Sequence, residues 1–156
     1  MTVSLSSPIG RIYITEKAGW ITEVTLSERE VTHSTPLLDD AVRELNEYFE
    51  GERRVFSLPV SINALTPFQQ KVLYACALIP YGETRTYGDI ARMMGSPKAS
   101  RAVGGALHIN PCFIIIPCHR VVSSSSLGGF GFGTEVKEKL LSLEKAQKAS
   151  SGPDIS

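Results

Sequence analysis

With 156 residues, 42% of them hydrophobic, and a formal net charge of zero, the chain can bury one sizeable core or two small ones packed together. No stretch is long and apolar enough to span a bilayer, and the start lacks a charged-then-apolar signal, so a soluble intracellular protein is expected, cytoplasmic or, in a eukaryote, nuclear. Three cysteines without CxxC spacing argue against a disulfide framework and a zinc knuckle, and no metal or cofactor is expected. The charge is divided unevenly: residues 1–62 hold six basic against ten acidic side chains, a net of −4, and residues 63–156 hold ten against six, a net of +4. That asymmetry points to a polyanionic partner, although an ordinary solvated surface would also account for it.

The first thirty residues alternate in period two. Val3 and Leu5, then Ile12 and Ile14, then Ile21, Val24 and Leu26 are separated by Ser7-Pro8-Ile9-Gly10 and Lys17-Ala18-Gly19, which predicts an antiparallel sheet of about three strands. Glu28 to Pro36 reads as a loop. Leu38, Ala41, Leu45, Tyr48 and Phe49 fall at helical spacing over 37–49, Gly51 closes the segment, and Arg53 to Val60 is a candidate further strand. His33 and Asp39-Asp40 read as solvated surface. A domain boundary is expected at residues 62/63.

Thr66-Pro67-Phe68-Gln69 is a helix start: a threonine cap, proline at the first position and glutamine placed to complete a capping box. Phe68, Val72, Leu73, Cys76 and Ala77 form its apolar stripe, so Cys76 reads as core. Two short helices, residues 86 or 87 to 94 and 98–107, flank Gly95-Ser96-Pro97 in the proportions of a helix-turn-helix. The second offers Ala99, Ser100, Ala102, Gly104, Gly105 and Ala106, with Arg101 its one long side chain after Lys98. It lacks the several Arg, Asn, Gln or Lys positions that read base edges. Each glycine inside a helix costs about 1 kcal/mol relative to alanine, so either close helix packing or close approach to a partner must require them.

The stretch Ile114-Ile115-Ile116-Pro117-Cys118-His119-Arg120-Val121-Val122 carries the chemistry. Three isoleucines read as a buried strand that Pro117 ends, which sets a thiol at the mouth of a core. Cys118 is either one more small apolar core residue or a nucleophile. The company of His119 and Arg120 favours thiolate, and hence the second reading.

This run, with Tyr87-Gly88-Asp89-Ile90-Ala91, Ser100-Arg101-Ala102-Val103-Gly104-Gly105-Ala106-Leu107, Asn110-Pro111 and Glu144, resembles the O6-alkylguanine-DNA alkyltransferases, also called methylated-DNA–protein-cysteine methyltransferases. The ordered motifs cover about the last three-fifths of the chain. The resemblance implies an α/β (α+β) fold: a small N-terminal sheet-plus-helix domain over 1–62, a mainly helical DNA-binding and alkyltransferase domain over 63–148, and a flexible tail over 149–156. It implies single-turnover transfer of an alkyl group from O6 of guanine, with O4 of thymine a further substrate, to Cys118 after the base is flipped from the stack. His119, Glu144 and a bridging water would draw the proton from the thiol, and Tyr87 would help turn the nucleotide and protonate the base. Asn110 would brace the backbone around the cysteine.

The expected partner is double-stranded DNA, bound by a monomer in the minor groove without sequence preference. Arg101 would fill the vacated stack, with Lys98, Ser100, Ala102, Gly105, Ala106 and Tyr87 on the DNA. Val121, Phe130, Gly131, Phe113 and Leu107 would line the base pocket, and the loop 128–133 would close over it. The chain departs from the family pattern at Phe130, where tyrosine is common, at Phe132, where glycine is more usual, and at Cys112-Phe113, which replaces an aliphatic-proline pair. Bulk at Phe132 and Phe113 bears on the range of alkyl groups accepted. The competing readings are a lesion-binding module, which in such proteins usually carries tryptophan at the cysteine position, a sequence-specific transcription factor and a Cys-His hydrolase. Adjacent cysteine and histidine do not make a hydrolase dyad.

Overall fold

A computed structural model describes residues 1–150 and divides the chain into two compact units, 1–62 with 111–113, and 63–110 with 114 onward. Pro111–Phe113, expected in the second domain, thus belong to the first unit. The reason is backbone pairing: Val24 donates to the Pro111 carbonyl at 2.8 Å, and Val24 bridges Cys112.

The first unit is an antiparallel sheet in the order β1 (Thr2–Ser7), β2 (Gly10–Lys17), β3 (Trp20–Thr25), covered by helix α1 (Pro36–Phe49). Leu5, Ile12 and Ile14 follow period two into the core, whereas Ile21 and Val24 lie three apart and are both buried. A bulge reconciles them. Glu16 pairs with Ile21 and Thr15 with Glu23, which leaves Thr22 as the extra residue. Thr35 caps α1 by accepting from the Leu38 amide at 3.1 Å, and Leu38, Ala41, Leu45 and Tyr48 form its buried face. Arg53 to Val60 is not a strand. It holds one isolated bridge, Val60 to Ile21, because Pro59 has no N–H to donate and its carbonyl accepts from Ile21 at 2.8 Å.

The second unit contains α2 (Pro67–Ala77), the two-residue strand β4 (Arg85–Thr86), α3 (Tyr87–Met93), α4 (Ser100–His108), a 3-10 turn (Cys118–Arg120), β5 (Val121–Val122) and α5 (Thr134–Ser150). The capping box of α2 is formed in both directions, Gln69 amide to Thr66 Oγ1 at 3.2 Å and Thr66 amide to Gln69 Oε1 at 3.0 Å. Ala77, expected on the buried stripe, is exposed. Thr86 with Asp89 makes a second box that starts α3, and β4 pairs parallel with β5, tying Tyr87 to the segment after the cysteine. Helix α4 begins two residues later than expected, at Ser100, with Lys98 in the turn.

The three isoleucines are not a strand either. Ile114 has φ +72°, and Ile114-Ile115 form a turn. A β-branched residue rarely adopts that conformation, which costs on the order of 1–3 kcal/mol. Ile114 is 1% exposed, and its burial holds the turn. Helix α5 runs through Ala149 and Ser150, so those two residues are helical and not tail; residues 151–156 of the expected tail lie outside the described residues. Among the described residues no helix is long and apolar enough to cross a membrane.

Candidate active site

Cys118 opens the 3-10 turn and is 8% exposed. Its amide donates to the Ile116 carbonyl at 2.8 Å, and the Asn110 side chain donates to the same oxygen at 2.8 Å. The Asn110 amide also hydrogen-bonds the Cys118 thiol. The segment just after α4 and the cysteine are thereby held against each other.

Behind the cysteine lies a buried chain of charge. His119 Nε2 is 2.6 Å from Glu144 Oε2, and both side chains are fully buried. Arg120 grips the same carboxylate with two N–H groups, Nε to Oε1 at 2.8 Å and Nη2 to Oε2 at 3.0 Å, and donates Nη1 to the Ile79 carbonyl at 2.8 Å. The Gly82 amide adds a further donor to Glu144 at 3.2 Å. Burial opposes ionisation of Glu144, but the bonds and charges of His119 and Arg120 outweigh it and hold the carboxyl well below the usual carboxylate range. Burial pushes His119 down more than Glu144 pulls it up. With the imidazole neutral, the lasting positive charge on Glu144 is the guanidinium.

The tautomer follows from those partners: Nε2–H donates to the carboxylate, which leaves Nδ1 as an acceptor. Nδ1 is buried with no partner among the described residues.

Proximity to His119 and Arg120 does not make Cys118 a thiolate. Burial pushes its thiol up to about 11, and the groups that pull it down are the Asn110 side chain, the Lys137 ammonium and the amides of Cys118 and His119. Arg120 is committed to Glu144 and Ile79. The Cys76 thiol on α2, also free and buried, is pushed well up by burial, as a core residue would be.

Lys137 is the participant that reading by motif missed. It is 1% exposed, donates to the Val121 carbonyl at 2.6 Å and the Gly129 carbonyl at 3.0 Å, and lies 5.8 Å and 6.0 Å from the ring centroids of Tyr87 and Phe130. Burial lowers its ammonium, while Cys118 and Cys76 favour the charge. The signal for it was available: Lys137, Leu140 and Glu144 recur at the spacing of one helix face, and all three are buried.

Tyr87 is half-buried, and burial raises its hydroxyl, partly offset by a hydrogen bond from the Gly129 amide. Gly128 has φ +80°, and a Cβ there would lie 2.7 Å from the Tyr87 hydroxyl, so only glycine lets the loop approach this close. Phe130 and Phe132 are half-buried with centroids 6.2 Å apart. Val121 and Leu107 are buried, and Gly131 is exposed. Phe113 is buried and belongs to the first unit.

Helix α4 presents Arg101, Ala102 and Gly105 to solvent, and Ser100 is half-buried. Ala106 is 3% exposed and faces inward, one position beyond the exposed 101, 105, 108 row. A Cβ at Gly105 would meet nothing within 4 Å, which removes helix packing as its reason. Lys98 is exposed.

Two family models match the chain: the 6-O-methylguanine DNA methyltransferase ribonuclease-like domain over residues 3–62, and the DNA binding domain of the same family over residues 67–146. The chain is 46% identical over 152 residues to the constitutive methylated-DNA–protein-cysteine methyltransferase of Bacillus subtilis, covering 89% of this chain and 92% of that protein. Among solved structures, Mycobacterium tuberculosis OGT in complex with DNA is similar at a TM-score of 0.85 and 42% identity, covering 94% and 93% of the two chains. An O6-methylguanine DNA methyltransferase from Methanococcus jannaschii is similar at a TM-score of 0.70 and 27% identity, covering 100% and 98%. Two models that together span nearly the whole chain, and relatives alike along their full length, place this chain in the O6-methylguanine DNA methyltransferase family.

Proposed function

We propose that the chain repairs DNA by direct reversal, moving the alkyl group of an O6-alkylguanine to Cys118 once per molecule. The observation that carries the reading is the buried chain Cys118, His119, Glu144, Arg120, with Asn110 on the thiol, in a protein of this family. The damaged nucleotide leaves the stack, at a cost of a few kcal/mol that is smaller for a lesion whose pairing is already impaired. The thiol proton passes through a bridging water to His119 Nδ1, whose other nitrogen is anchored on Glu144. Sulfur attacks the alkyl carbon, the S–C bond forms and the C–O6 bond breaks. The electron pair stays with guanine, which takes a proton from Tyr87. The Gly129 amide occupies the Tyr87 oxygen as acceptor, which leaves the phenolic hydrogen to be donated. The product is a thioether, which nothing in the site hydrolyses, so the protein acts once.

Binding is to double-stranded DNA, in the minor groove and without sequence preference, by a monomer. The Arg101, Ala102, Gly105 face of α4 is slender enough for that groove. Arg101 enters the vacated stack with its planar guanidinium, and Lys98 contacts the backbone. Val121, Leu107, Phe130 and Gly131 surround the flipped base.

The test is the intact mass of the protein mixed with a duplex that holds one O6-methylguanine, followed by peptide mapping. One added methyl group per chain on Cys118, saturating at equimolar lesion, is expected. Cys118→Ala is expected to keep lesion binding and lose all transfer; transfer that persists in that variant overturns the assignment.

A further inference from the structure

The exposed face of α4 has a cation at each end. Arg101 and His108 are both exposed, seven residues and so about two helical turns apart, with Gly104 and Gly105 between them. Residues at i, i+3, i+4 and i+7 share one face, so any polyanion laid along the glycines meets both side chains. His108 is the last residue of α4, where the unsatisfied carbonyls of a helix put partial negative charge. A phosphate is repelled from that end unless the side chain there is positive. The His108 imidazole is also placed by its surroundings. A Cβ on Gly131 would lie 3.7 Å from the His108 carbonyl oxygen and 3.9 Å from its Cε1 and Nδ1, so the ring rests against the glycine loop.

We infer that His108 is a second backbone contact on the DNA-binding helix, and that DNA takes up a proton there, which makes affinity depend on pH. The inference rests on the DNA-repair reading and deepens it. Imidazole is the side chain whose charge ordinarily changes between pH 5 and 8. By linkage, a phosphate that favours the imidazolium must itself be bound more tightly when the imidazole is already charged.

The ionisable groups on the elements packed against α4 are Lys71, Tyr74 and Cys76 on α2 and Tyr87, Asp89 and Arg92 on α3; Arg101 is on α4 itself. The one carboxylate in that set, Asp89, is engaged by Arg92 and the Thr86 amide. The loop 123–133 carries no ionisable side chain. In the proposed complex phosphate is the anion that supplies His108 with a counter-charge.

The experiment is a salt titration of binding to an undamaged duplex, read by fluorescence anisotropy at about pH 6 and about pH 8, buffers chosen within the range where imidazole changes charge. Each phosphate neutralised contributes a slope of about −0.9 to log K against log salt, so the wild-type slope is expected to be steeper by about 0.9 at the lower pH. His108→Ala should give one shallow slope at both pH values, and His108→Arg one steep slope at both. A wild-type slope that does not change, or a change that survives in His108→Ala and so belongs to another group, overturns the inference and leaves the repair reading standing. Absence of DNA binding at either pH overturns both.

Discussion

At Cys118 the local charges and the local burial pull in opposite directions, and burial prevails: the thiol is pushed up to about 11. A thiol held that far up is overwhelmingly protonated at neutral pH. In the proposed reaction attack is therefore coupled to proton removal by His119 and does not wait on a standing thiolate. Among the described groups that pull the thiol down, the one full positive charge is the Lys137 ammonium. Lys137→Met, close in volume and neutral, is expected to move the alkaline limb of the transfer rate to higher pH and to slow single-turnover transfer at pH 7, by less than about tenfold for each unit of that displacement because attack is coupled to proton removal. Because the variant also strips the Val121 and Gly129 carbonyls of a donor, stability should fall by about 1–3 kcal/mol for each buried acceptor left bare. The pH profile separates the two effects, since lost stability alone does not move its limb.

Among the elements, α4 carries the clearest conflict between stability and function. Gly105 lies inside a nine-residue helix, has open space where a side chain would go and is exposed. Alanine there should stabilise the fold by about 0.5–1 kcal/mol. The same methyl group would stand on the face that enters the groove in the proposed complex. Gly105→Ala is therefore expected to raise the urea midpoint and weaken binding to duplex DNA, with both measured on one preparation. Unchanged DNA affinity would mean that this face does not touch DNA. The glycine at 128 is required for a different reason, the 2.7 Å approach to Tyr87, and belongs to the loop that Lys137 holds in place.

On the scale of the whole chain, Glu144 is the tie of the second unit. It joins α5 to the Gly82 turn and to the 3-10 turn, partners 62, 25 and 24 residues away, and Arg120 carries the same network to Ile79. Removal of one member of a buried ion pair costs about 3–5 kcal/mol, because it leaves an uncompensated charge. Glu144→Gln should lose about that much at pH 7 in urea unfolding. The folded carboxyl sits below its unfolded value, so its contribution is complete above the unfolded pKa of about 4.3 and is lost as pH falls toward the folded one. The gap between wild type and Glu144→Gln should therefore close below about pH 4. A gap that stays constant into acid would show that the carboxylate charge is not what the variant loses.

The sequence by itself determined the parts whose causes are local. The three-strand sheet follows from period two and turn residues, α1 and α2 from their apolar spacing and caps, and the helix-turn-helix from Gly95-Ser96-Pro97. The motif order around Cys118 was enough to name the family. Tertiary structure decided what depends on burial and on partners distant in the chain. Ile114 turns instead of extending because the backbone before it pairs with β3 and its side chain is buried. Arg53–Val60 has the residues of a strand but finds a single bridging partner. Lys137 reads as one more helix lysine until Val121 and Gly129 are folded onto it, and Cys118 reads as a thiolate until its desolvation is counted. Desolvation is a property of the surrounding volume, and no stretch of neighbouring residues specifies it.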